Sequence, residues 1–364
     1  MKFDLFHCSQ RNRSGIILVV VLWVMVILSV LAVGLGTRTG IDLAVTKHTI
    51  GKMKADALSW AAVLYALDQI QKDAGDKTNP PVDTLYRCAI KLEETQTPDE
   101  IFKDVALGEG HFDVYYSLKD PETGGVQIIY ALADEERRIN INAVTLQNYK
   151  IFSSLLSILE IGDEEALRVA SAVVDWVDAD SNVANPPYGA EDGDYMLLEK
   201  PYHCKNYHFD SIEELTLVKG MTPEIFSKIK DYVTVFPKTT PAFLINVETA
   251  PEIVLRALGR AVAGAATNTE MSDADDMAAK IVAYRRGDDD QDMTSDDREV
   301  FNAKDVGLNA KETVIWLASR GRMTNQSRFL RLQARGKSSL SPARCDIEAV
   351  ISRDDLAIVD WRRR

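Results

Sequence analysis

Apolar positions are spread unevenly along the chain. Residues 16–36 form an uncharged run of about 21 positions, enough for a helix to cross a bilayer. No second run of that length occurs, so the pattern predicts a single span at most. Beyond it the apolar residues thin to a stripe, with Leu58, Ala61, Ala62, Tyr65 and Ala66 at i, i+3, i+4 spacing. One helix of roughly 55–60 residues, about 80–90 Å long, is therefore expected from residue 16 to about Lys72.

Further along, the period shortens to two. Residues 111–118 and 126–133 are rich in β-branched and aromatic side chains and flank a turn-like Asp120-Pro-Glu-Thr-Gly-Gly, which predicts a hairpin. Residues 327–335 and 344–352 give a second pair, parted by a Gly/Ser/Pro loop. Between the two pairs the pattern is helical over residues 148–159, 164–177, 211–218, 223–233, 251–258, 273–286 and 297–302. Start signals stand at Asp163, Thr222-Pro, Thr249-Ala-Pro and Ser272-Asp. The expected class is α+β: a long N-terminal helix packed on a small antiparallel sheet, with a large all-α domain inserted between strands.

Composition narrows the functions. A chain of 364 residues exceeds one ordinary core, so an anchor plus two or three folded units is expected. The net charge of -13 disfavours nucleic acid as a partner and favours divalent cations. Cysteines stand at 8, 88, 204 and 345, none in C-x-x-C spacing. The last three admit one disulfide with a free thiol, or three buried thiols.

The first fifteen residues are short, polar and basic, with Arg11 and Arg13 close to the apolar run. That run is too long for a secretory signal and continues as a helix. The layout resembles the type IV pilin and pseudopilin class, in which a prepilin peptidase cuts after a leader-terminal glycine. The resemblance implies cleavage after Gly15 and an N-methylated Ile16. It also implies a single-pass inner-membrane anchor with the C-terminal domain in the periplasm. Most of the class carry Glu at the fifth mature position, where this chain has Val20. In the class that carboxylate pairs with the N-terminal amine of a neighbour, since a buried charge is costly alone. A chain with Val20 suits the end of a filament, where there is one neighbour fewer. The plain alternative is an uncleaved signal anchor on an unrelated protein.

A more specific resemblance lies in the body. It rests on Asp134-Glu-Glu-Arg-Arg-Ile-Asn-Ile-Asn, Val174-Asp-Trp-Val-Asp-Ala-Asp, Gly189-Ala-Glu, Ser211-Ile-Glu-Glu-Leu, Ile245-Asn-Val-Glu-Thr-Ala-Pro and Val359-Asp-Trp-Arg-Arg. Together these resemble the minor pseudopilin K family of type II secretion (general secretion pathway protein K), over most of residues 11–361. The resemblance implies a non-enzymatic tip subunit that joins I-type and J-type minor pseudopilins and supports export of folded proteins. The organisation it implies is a leader (1–15), a transmembrane helix (16–36) and its periplasmic continuation (37–75). Then come the first part of a pilin-like sheet domain (76–139), an inserted helical domain of two subdomains (140–325) and the last strands (326–364).

Two acidic loops are candidate Ca²⁺ sites, since that cation takes six to eight oxygen ligands. In residues 175–206 the expected ligands are Asp178, Asp180, Glu191, Asp192 and Asp194; a solvated surface loop is the alternative. Residues 288–299 place Asp288, Asp290, Asp292, Thr294, Asp296 and Glu299 at EF-hand positions. Met293, however, stands where that loop needs glycine, so an acidic connection is expected there. His203, Cys204 and His208 are expected to be ordinary loop residues rather than a zinc site. Residues 215–225 resemble a helix-hairpin-helix, which admits a second reading, a membrane-anchored DNA-binding protein of an uptake system. Its acidic surroundings favour a structural hairpin. A third reading is an anchored periplasmic hydrolase using the acidic loops and a metal, although no catalytic acid pair or H-E-x-x-H spacing is present.

Overall fold

The computed structural model describes residues 14–75, 82–93, 96–119, 125–239 and 242–363. Most of the expected leader, Cys8 and the hairpin turn at 120–124 lie outside them. Helix α1 (Ser14–Ala74) runs unbroken for 61 residues. Its first half exposes every described side chain, and among the described residues it is the one helix long and apolar enough to cross a bilayer. From residue 55 onward one face is buried through Ala55, Leu58, Ala62, Val63, Ala66 and Ile70.

That face lies on an antiparallel sheet of five longer strands. These are β1 (Gly110–Lys119), β2 (Val126–Ile129), β3 (Phe329–Ser338), β4 (Arg344–Ser352) and β5 (Ala357–Arg363). The order is β1-β3-β4-β5, with Val105–Ala106 beside β1, β2 pairing with the far half of β1, and Ala133–Asp134 pairing with β3. Phe112, Val114, Leu330, Leu332, Ala334, Ile347, Ala349 and Ile351 form one core with α1. Gly336 allows the close approach. A Cβ there would stand 2.0 Å from the Ala55 carbonyl oxygen and 2.5 Å from the Ser59 amide nitrogen. Periodicity does not mark β5, although it lies within the 326–364 expected to hold the last strands, because an edge strand with mostly exposed side chains lacks the alternation of a half-buried one.

The residues between Ala133–Asp134 and β3 build a second core around Phe152, Val173, Trp176, Leu255 and Ile281. After the short α2 (Pro98–Phe102), the helices are α3 (Tyr149–Ile158), α4 (Asp163–Val177), α5 (Asp192–Tyr195), α6 (Pro223–Ile229), α7 (Glu252–Arg260), α8 (Met271–Arg285) and α9 (Ala310–Ser319). Residues 211–218 narrow to a 3₁₀ helix at Ile212–Leu217. The helix expected at 297–302 does not form. Val300 instead lies in irregular chain, its amide donating to Glu248 Oε1 at 2.8 Å. Helix α9 is an element that the apolar pattern does not predict, although Asn309 and Glu312 give it a capping box.

Buried ion pairs tie α1 and the segments flanking the insert to the sheet. Arg353 reaches Asp73 of α1 and Asp83 (2.6 Å). Arg331 of β3 bridges Glu135 and Glu348, both at 2.5 Å. Breaking such a buried pair leaves a charge uncompensated and costs about 3–5 kcal/mol. Cys88, Cys204 and Cys345 are free and buried, which selects the three-thiol alternative.

Candidate metal centre

The acidic loop begins where α4 ends. Asp175 is fully buried, and its two oxygens accept the amides of Ala184 (2.7 Å) and Ala190 (2.5 Å). These bonds fold residues 178–191 back over the end of the helix. Gly189 is required there, because a Cβ would meet Asp175 Oδ2 at 2.1 Å and the Ala184 carbonyl at 2.7 Å. Trp176 seals the floor against Tyr195 and Phe209, with ring centroids 5.3 and 6.2 Å away.

On this frame one carboxylate oxygen each of Asp178, Asp180 and Glu191 come within 4.8 Å of one another. Asp178 Oδ1, both carboxylate oxygens of Glu191 and Asn206 Oδ1 are buried without a hydrogen-bond partner. Asn206 reaches the same place, its amide donating to the Asp180 carbonyl at 3.1 Å. No Lys or Arg among the described residues pairs with the three acids. Burial, then the charges of Asp175, Asp178 and Asp180, push the Glu191 carboxyl up to about 7. Burial and Asp180 raise Asp178, and burial raises Asp175 to about 6. Orphaned oxygen acceptors that repel one another form a donor set suited to a hard divalent cation.

The other two expected ligands are engaged elsewhere. Asp192 accepts from the Cys204 amide (2.7 Å) and faces His203 Nδ1 (3.0 Å), which lowers its pKa. Asp194 pairs with Lys219 at 2.6 Å and caps α5 by accepting the Glu191 amide at 3.3 Å. Asn206 is not among the expected ligands, although the acidic stretch ends on it. His203, Cys204 and His208 do not converge. His203 turns to Asp192, while Cys204 Sγ lies 3.5 Å from the Asp175 carbonyl.

Residues 288–299 are arranged differently. Met293 adopts φ 70°, the left-handed backbone expected of a glycine there. Yet Asp296 accepts the Asp288 amide (2.7 Å) and the Thr294 hydroxyl (2.7 Å), and Asp297 accepts the Met293 amide at 3.0 Å. Asp288 pairs with Arg298, Asp292 with Arg286 and Glu299 with Arg87. The helix-hairpin-helix resemblance corresponds to Ile212–Leu217, a turn at Gly220 (φ +85°) and α6 capped by Thr222. Lys219 there is bound to Asp194, and Lys228 to the Leu159 carbonyl.

Comparison with known proteins gives a consistent picture. Residues 137–238 match the family "Type II secretion system (T2SS), protein K". Type II secretion system protein K of Aeromonas hydrophila is 24% identical over 66% of this chain and 68% of its own. That of Pseudomonas aeruginosa is 24% identical over 71% and 72%. Among solved structures, the GspK-GspI-GspJ complex of the enterotoxigenic Escherichia coli type 2 secretion system includes a similar chain. The TM-score is 0.57 at 15% identity, over 90% of this chain and 99% of that one.

Proposed function

We infer that this chain, a relative of the type II secretion system K proteins, is a minor pseudopilin at the tip of the secretion pseudopilus. The observation that carries this reading is the division of α1. Its first half is an apolar rod with no partner among the described residues, and its second half is fixed to a sheet that carries a bulky helical insert. Such a rod needs a bilayer or a bundle of like helices to cover it. The insert is too large for a uniform shaft and suits an end position, as does Val20 in place of glutamate. On this account a prepilin peptidase cuts after Gly15, Ile16 is methylated, and residues beyond the inner membrane stand in the periplasm. The partners are I-type and J-type companions, named for the similar chain by the complex in which it was solved. The role is assembly rather than catalysis. Its test is recovery of both companions with the full-length chain from membranes. Restored export of folded protein in a strain lacking the native subunit supports the reading, and failure of both assays contradicts it.

The same reading extends to calcium. Asp178, Asp180 and Glu191, with Asn206 Oδ1, would hold Ca²⁺ and neutralise a loop that otherwise repels itself. The ion's chemistry here is charge neutralisation and cross-linking of the loop. The chain's own part is the frame set by Asp175, Gly189 and Trp176.

A further inference from the structure

The insert covers only part of the sheet's polar face, and a cavity of about 320 Å³ remains between them at the β5 edge. Arg138, Arg331 and Arg362 line it with Asp210, Asp360, Ile212 and Phe236, among others. The acids there are already matched. Asp210 holds Lys205 at 2.8 Å, Asp360 lies 3.9 Å from Lys238, and Arg331 occupies Glu135 and Glu348. The cations are not all matched. Arg362 is exposed, and its side chain has no ion pair or hydrogen bond among the described residues, its backbone alone pairing with Glu348. Among the described residues Arg138 makes one ion pair, with Glu135 at 3.6 Å, an acid that Arg331 holds more closely, and Asp231 acts on it from farther off.

The backbone beside this surplus is also unpaired. Strand β5 bonds to β4 on one side, and no strand or loop among the described residues bonds to its other side. A row of free amides and carbonyls can accept another strand, with affinity from the main chain and selectivity from side-chain pockets. Val359 and Trp361 stand exposed on this edge, 42% and 51% accessible.

We propose that the free edge of β5 receives an extended acidic segment of a companion pseudopilin, whose carboxylate enters the cavity between Arg362 and Arg138. This rests on the tip-subunit reading above. Charge selects the occupant, because a second copy of this chain offers more arginine than acid along β5.

The test uses the full-length chain, co-expressed in membranes with its I-type and J-type companions, with a photo-crosslinking residue at Val359. A control carries the same residue at Val126, an exposed position on β2. The expected result is an adduct with a companion from position 359 but not from 126. Arg362→Glu should reduce its yield at least about tenfold, and Arg362→Lys should retain it. The proposal is overturned if the companions co-purify but 359 gives no adduct, or an adduct with a second copy. It is equally overturned if 126 reacts as well as 359, or if Arg362→Glu changes nothing. Absence of companions from the unsubstituted chain would instead contradict the tip-complex reading, and the edge proposal would fall with it.

Discussion

The loops at 175–206 and 288–299 look alike in sequence, both dense in aspartate, yet they meet their charge in opposite ways. In the second, carboxylates take the loop's own amides, and arginines at 87, 286 and 298 close the remaining pairs. In the first, Asp175 is spent on holding the loop's shape, and the next three acids are turned together with no cation paired to them among the described residues. The number of acids therefore says little about metal. What separates the loops is whether the chain supplies its own donors.

The largest expected effect comes from breaking the frame of the first loop. Asp175→Ala leaves two buried amides without an acceptor and should cost roughly 3 kcal/mol, read from denaturant unfolding. Calcium itself comes next. At a hundredfold excess over Kd it should stabilise residues 38–364 by about 2.7 kcal/mol, seen as a rise in Tm that chelation reverses. Glu191→Gln should abolish that rise while stabilising the chelated protein, because it removes a repelling charge. An equal calcium response in both proteins would remove Glu191 from the site.

The pH dependence sharpens the same contrast. The Glu191 carboxyl moves from an ordinary 4.5 to about 7, so between those values the folded chain holds a proton that the unfolded chain has lost. Stability of the metal-free protein should therefore fall as pH rises from about 4.5 to about 7. Asp175 and Glu248, raised to about 6 and 7, act in the same direction. Glu191→Gln should thus remove only part of the slope, and saturating calcium should flatten that same part. The smallest effect belongs to the second loop. Arg298→Ala breaks an exposed pair and should change stability by no more than about 0.5 kcal/mol, with the calcium response intact.

Much of the architecture was legible in the sequence because it rests on periodicity. The long α1, the strand pairs and most insert helices each bury one face, and that leaves a regular stripe. Strand β5 was not legible, since Val359, Trp361 and Arg363 are exposed and no alternation marks an edge. The helix expected at 297–302 failed because Glu248, some fifty positions earlier in the chain, takes the Val300 amide. At the candidate centre, Asp178, Asp180 and Glu191 were found by acid density. The same density gave no way to see that Asp192 and Asp194 would be occupied by His203, the Cys204 amide, Lys219 and a helix cap. Those partners are brought together only by folding.

The central claim, that this is a pseudopilin, concerns the start of α1 and is tested most directly there. Mass spectrometry of the mature N-terminus, with and without the prepilin peptidase, should find a methylated Ile16 only when the peptidase is present. An intact Met1 in its presence would contradict the account.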